Sequence, residues 1–128
     1  MKIALAQIEV YAGQPARNAE KILTFIEQAK SQQADIVIFP ANSISGALIG
    51  DTALKESFVR DCRFFHKKII AASHGITIIF GSFNDVFVAR DGKLIDDGEF
   101  KVQPNLFHLK IGGKTYKTIC QVYSEIPI

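Results

Sequence analysis

The chain reads as an α/β fold, with a βαβαβ start followed by antiparallel hairpins. Three observations carry that reading. Residues 2–8, 36–39 and 76–80 are dense in apolar side chains. The two stretches between them repeat apolar residues every three or four positions, the period of a helix with one buried face. Beyond residue 80 two tight-turn pairs, Asp91 with Gly92 and Gly112 with Gly113, divide short β-prone runs. Strand, helix, strand with both strands apolar throughout calls for a parallel sheet and a right-handed crossover.

Taken in order, residues 2–8 set Ile3 and Leu5 among Ala4 and Ala6, the pattern of a central strand covered on both faces. Pro15 suits a first helical turn, and Ala19, Ile22, Leu23, Ile26 and Ala29 form one stripe, so a helix is predicted over 15–33. Residues 36–39 are the second buried strand. Its carboxyl end is Pro40, Ala41, Asn42 and Ser43, and ligand sites in parallel sheets favour such ends. Asp51 or Thr52 caps a second helix carrying Leu54, Phe58, Cys62, Phe65 and Ile69 on one stripe, closed by His74 and Gly75. Residues 76–80 are the third strand. Residues 83–90 with 93–97 form the first hairpin, and 106–111 with 114–120 the second.

A chain of 128 residues forms one domain, 1–128, with a single core. Its net charge of +2, with acids and bases interspersed, gives no basic stripe for nucleic acid or anionic lipid. No apolar run approaches the roughly 20 residues that span a bilayer, and no signal-peptide layout opens the chain, so a cytoplasmic protein is expected. Cys62 and Cys120 lack CxxC or Cys/His spacing, which argues for free thiols and against a disulfide framework or zinc. His66, His74 and His108 share no ligand spacing and read as surface or capping residues. No glycine stretch matches a phosphate-cradling motif, so no metal and no cofactor is expected. Ser43 and Ser45 are turn chemistry, and Asp96, Asp97 and Glu99 a solvated hairpin end. From local sequence alone, Cys120 is a small apolar residue at a strand end and Lys101 a solvated lysine.

Together, however, KIALAQ at 2–7, residues 18–22, ADIVIFP at 34–40, residues 81–84 with Gly92, residues 101–105, and Ile119 with Cys120 resemble the nitrilase or carbon-nitrogen hydrolase superfamily. Within it the chain is most similar to the glutamine amidotransferase domains of glutamine-dependent NAD synthetases. The resemblance is collinear over nearly the whole chain. It implies an αββα sandwich and a Glu, Lys, Cys triad. By that resemblance Cys120 holds the nucleophile position and Lys101 the oxyanion-stabilising position. The general-base position, directly after Phe39 and Pro40, is glutamate in the family and Ala41 here. Other departures accompany it. The Lys101 to Asn105 segment is one residue short, the loop between Asn105 and Leu106 is trimmed, Gln121 and Val122 replace two acids, and the sequence stops at Ile128 where the family continues. An engineered substitution would account for Ala41 and for none of these.

Amide hydrolysis through a thioester needs a thiolate, an oxyanion donor and an acid for departing ammonia. Losing a positioned general acid/base costs about 10²–10⁴-fold. The expectation is therefore a truncated, catalytically degenerate domain with a binding or assembly role and a small amide as its ligand. The half-sandwich leaves an apolar sheet face uncovered, so a homodimer with stacked sheets is expected to complete the four layers. The alternative is a residual amidase or glutaminase using Cys120 and Lys101, its base supplied by water or a partner chain.

Overall fold

The computed structural model describes residues 1–47, 49–95 and 106–119. A five-stranded sheet runs in the order β1-β2-β3-β4-β5. Its strands are β1 (Ile3–Leu5), β2 (Ile36–Ile38), β3 (Thr77–Ser82), β4 (Asp85–Arg90) and β5 (Lys93–Leu94). The first three are mutually parallel, and β4 and β5 follow as antiparallel hairpins. Register sorts the side chains by face. Ala4, Val37, Ile78 and Ala89 belong to a core shared with α1 (Pro15–Ser31) and α2 (Glu56–Ala71). Ile36, Ile79 and Val88 belong to a second core on the opposite face, which corrects the single core expected from the chain's length. The two-residue period of strands requires that division.

The stripe on α1 buries Ala19, Ile22, Ile26 and Ala29 as its spacing predicts. The helix stops at Ser31, two residues short of expectation. Gln33 takes a left-handed φ of 59°, its N–H reaching the Lys30 carbonyl while the Ala34 N–H reaches that of Ala29. Those two bonds are a Schellman motif with glutamine where glycine is usual. The second helical stretch is split. Gly50–Leu54 forms a 3-10 turn, Lys55 is extended (φ −77°, ψ 124°), and the α-helix begins at Glu56. The break slips the phase of the stripe, so Phe58, Cys62 and Ile69 are buried while Leu54 is 81% exposed.

Strands β6 (Leu106–Ile111) and β7 (Lys114–Ile119) pair as the predicted antiparallel hairpin. Phe107, Leu109 and Ile111 pack on Ile36, Ile79 and Val88. Helices, main sheet and hairpin are therefore three successive layers, and the face expected to be bare is covered at its centre. A second expectation is corrected too. The first strand lies at the sheet's edge rather than its middle, with Ile3 48% and Leu5 66% exposed. An unbroken apolar run marks burial on both faces only when something covers both, and here the hairpin sits over β2 to β4.

Candidate functional site at the carboxyl edge of the sheet

The loop after β2 is bonded on both sides to neighbouring segments. Asn42, Ser43, Ile44, Ser45 and Gly46 are all buried. Ser43 Oγ accepts the Gly81 N–H (3.2 Å), the Ile44 N–H donates to the Gly81 carbonyl (3.1 Å), and Ser45 Oγ accepts the Phe83 N–H (3.1 Å). Both serines sit in a turn, as their sequence suggests, but their hydroxyls tie that turn to groups 38 positions away instead of bonding only within it. On the other side Asn18, fully buried in the first turns of α1, accepts the Tyr11 N–H (2.7 Å) and donates to the carbonyls of Tyr11 and Ile44 (2.8 Å each). One amide thus ties the loops after β1 and β2 together.

Phe83 and Asn84, with φ of 51° and 61°, make the two-residue turn between β3 and β4. Positive φ at both central residues is the type I′ requirement, and it is unusual for a phenylalanine. Hence Phe83 turns the chain instead of starting the next strand, as its β propensity had predicted. Asn42, itself at φ 54°, clasps this turn: its Oδ1 accepts the Asn84 N–H (2.7 Å) and its Nδ2 donates to Asn84 Oδ1 (2.9 Å). Sequence reasoning missed the clasp because its halves are 42 positions apart. The only local sign was asparagine's tolerance of left-handed backbone.

A depression of about 440 Å³ opens beside the clasp, lined by Asn42, Gly46, Ala47, Ile49, Gly50, Ala53, Phe83 and Asn84. None of these side chains is ionisable. Such a surface offers amide hydrogen bonds and apolar contact but no proton transfer. Ala41 is exposed immediately before the clasp, at the carboxyl end of β2. Lys101 and Cys120 lie outside the described residues, Cys120 directly after the end of β7. Cys62 is fully buried on the inner face of α2, and burial, then the charge of Asp61, push its thiol up to about 11. It is a core residue and no nucleophile. Among the described residues no group of three or more His, Cys, Asp or Glu is placed to hold a metal ion, and no helix is long and apolar enough to cross a membrane.

His66 departs from the surface role expected of it. Its ring packs half-buried against Phe80 (5.6 Å between centroids) and Phe87 (5.0 Å), and among the described residues its Nε2 is buried without a partner. Burial, and then the charge of Arg63, hold its pKa below the ordinary 6.5. The unfolded chain therefore binds more protons than the folded one just below that value, and stability falls as pH drops through this window. Urea midpoints at pH 7.5 and 5.5 are expected to show the loss, and His66→Phe is expected to shrink it. An unchanged pH dependence in the variant would refute the assignment.

The sequence model of the carbon-nitrogen hydrolase family matches residues 2–99. Glutamine-dependent NAD(+) synthetase of Xylella fastidiosa (strain Temecula1) is 39% identical over 82 residues, 63% of this chain and 15% of that protein. The enzyme of the same name from Xanthomonas campestris pv. campestris is 31% identical over 103 residues, 73% of this chain and 19% of its own length. The chain thus spans under a fifth of these curated relatives. Among solved structures, glutamine-dependent NAD+ synthetase from Acinetobacter baumannii superposes with a TM-score of 0.73 at 20% identity, over 91% of this chain and 27% of that one. An amidase from Nesterenkonia sp. gives 0.67 at 16% identity, over 93% and 54%. At those identities the superpositions establish the fold, and the sequence match establishes descent. The chain belongs to the carbon-nitrogen hydrolase family.

Proposed function

We propose that this chain is a carbon-nitrogen hydrolase-like domain that has lost amide hydrolysis and acts as a binding or assembly module. Ala41 carries the reading: it occupies the position after Phe39 and Pro40 where the family resemblance expects the general base. The uncharged lining of the neighbouring depression supports it, because no described side chain there substitutes for the missing carboxylate. A small amide suits the paired asparagines as a ligand. The free thiol of Cys62 fits a reducing, cytoplasmic setting. Ile3 and Leu5, exposed on β1, offer apolar surface for self-association, while the face-to-face stacking anticipated from the sequence is opposed by the hairpin that covers the centre of that face.

Ammonia release from glutamine tests the reading. Wild type is expected to match Cys120→Ser, since loss of the base removes about 10²–10⁴-fold of rate. Release above that background, abolished by Cys120→Ser, would instead establish the residual glutaminase using Cys120 and Lys101. Ala41→Glu in the same assay separates the missing base from the other departures, because any rate it restores belongs to position 41.

A further inference from the structure

We propose that the outward face of α2 is a docking surface for an acidic helical segment of another protein. This gives the assembly role proposed above a partner, and it stands or falls separately from the loss of hydrolysis.

The chain's near-neutral balance hides an uneven one between its two helices. On α2 four cations, Arg60, Arg63, Lys67 and Lys68, stand against two acids, Glu56 and Asp61. At about 100° of turn per residue, Arg63, Lys67, Arg60 and Phe64 fall within an arc of about 100°, on the side away from buried Phe58, Cys62 and Ile69. All four are exposed, Phe64 by 53%. With Glu56 and Val59 they line a groove of about 620 Å³. Glu56 stands in the helix's first turn, where negative charge suits the dipole, so the groove beyond it is wholly positive. Exposed Lys68 adds to that charge, its Nζ 4.8 Å from the centre of the Phe64 ring. Among the described residues no ion pair engages these cations: the pairs Lys30 with Glu27 and Arg90 with Asp91 lie elsewhere.

Charge and spacing select the occupant. A second copy presenting the same helix would set cation against cation, which repels. Nor does α1 offer an acidic stripe, since Arg17, Lys21 and Lys30 are interspersed with Glu20 and Glu27. Nucleic acid and anionic bilayers present negative charge continuously, whereas this positive arc ends within about two turns and is flanked by Glu56 and Asp61. A short acidic helix matches it. Arg60, Arg63 and Lys67 stand three and four residues apart, the spacing at which a facing helix repeats the glutamates of one side. A lone exposed phenylalanine is ordinary on a protein surface, but ringed by cations Phe64 adds the apolar contact that a helix in a groove uses to fix its register.

Fluorescence anisotropy tests the face, with the full chain titrated into a fluorescein-labelled synthetic helix of alanine and glutamate that carries one central leucine. Wild type is expected to bind this probe saturably at low salt, and Arg60→Gln combined with Arg63→Gln to bind it roughly fivefold or more weakly. Glutamine suits helices, so the circular dichroism spectrum is expected to be unchanged. Phe64→Ser is expected to weaken binding about threefold, and a probe with alanine for its leucine to erase that difference. Lys21→Gln combined with Lys30→Gln removes as much charge from α1 and is expected to leave the affinity as it was. Equal weakening by the α1 pair makes the attraction one of net charge and overturns the site, as does a wild type that shows no saturable binding or an arginine pair that binds like wild type. A single-stranded oligonucleotide or a phosphatidylserine vesicle bound as tightly as the probe, and lost in the same arginine pair, overturns the protein partner. Ammonia release from glutamine bears on none of these outcomes, so either reading can fail alone.

Discussion

Asn18→Ala is expected to destabilise the fold by roughly 3–5 kcal/mol, because it strands the Tyr11 N–H and the Ile44 carbonyl and leaves the Tyr11 carbonyl only the Gln14 N–H. The amide is fully buried and serves the N–H and carbonyl of Tyr11 and the carbonyl of Ile44. Its orientation is unambiguous, since Oδ1 faces a donor and Nδ2 faces two acceptors. Asn18→Asp is therefore no rescue. It keeps the Tyr11 N–H bond, aims an oxygen at two carbonyls, and buries a charge. Urea denaturation checks this: both variants should lose midpoint without a change in slope. If aspartate behaves like wild type, the two carbonyl bonds contribute little and the loops are held by packing instead.

Gly46→Ala is expected to cost about 3 kcal/mol, of which a left-handed φ explains only about 1–2. Gly46 sits at φ 79°, and a Cβ there would come within 2.5 Å of the Ala12 Cα, a main-chain atom with no rotamer to yield. Relief requires moving the loop around residue 12 away from the loop after β2, which strains the Gly13 N–H bond to the Ser45 carbonyl (3.1 Å). Gly13→Ala is the internal control. Gly13 has a similar φ, 72°, with nothing within 4 Å of the added carbon, so it reports the backbone cost alone. Equal losses in the two variants would show that the contact at Ala12 relaxes freely.

Helices and strands were readable because their signals are periodic. The α1 stripe, the three parallel strands and both glycine-turn hairpins lie where period and turn chemistry put them. What escaped depends on neighbours distant in sequence. The run at residues 3–5 does not reveal which strand stands outside it, so an edge strand read as a central one. Lys55 carries no breaker chemistry, so nothing local in the sequence marks its extended backbone. His66 looked peripheral because the rings that bury it, Phe80 and Phe87, belong to strands rather than to its own helix. At the site, resemblance identified position 41, and the structure supplied the surrounding loop, with Asn18 and Asn84 as its fasteners. Lys101 and Cys120 lie beyond the described residues, so their part in the reading still rests on the resemblance.

The contrast between Ala41 and its neighbours has an evolutionary consequence. Residues 42–46 are buried and bound to three other segments, whereas the side chain at 41 faces outward and none of the described side-chain hydrogen bonds involves it. Mutation there is nearly invisible to folding while mutation one residue later is not. On the proposed reading of position 41 as the base position, a lineage can shed the chemistry in a single codon change and keep the protein, and selection for the scaffold alone would neither resist that loss nor reverse it. By the same decoupling, position 41 is where new side chains can be tried on this sheet with the least disturbance to what holds it together.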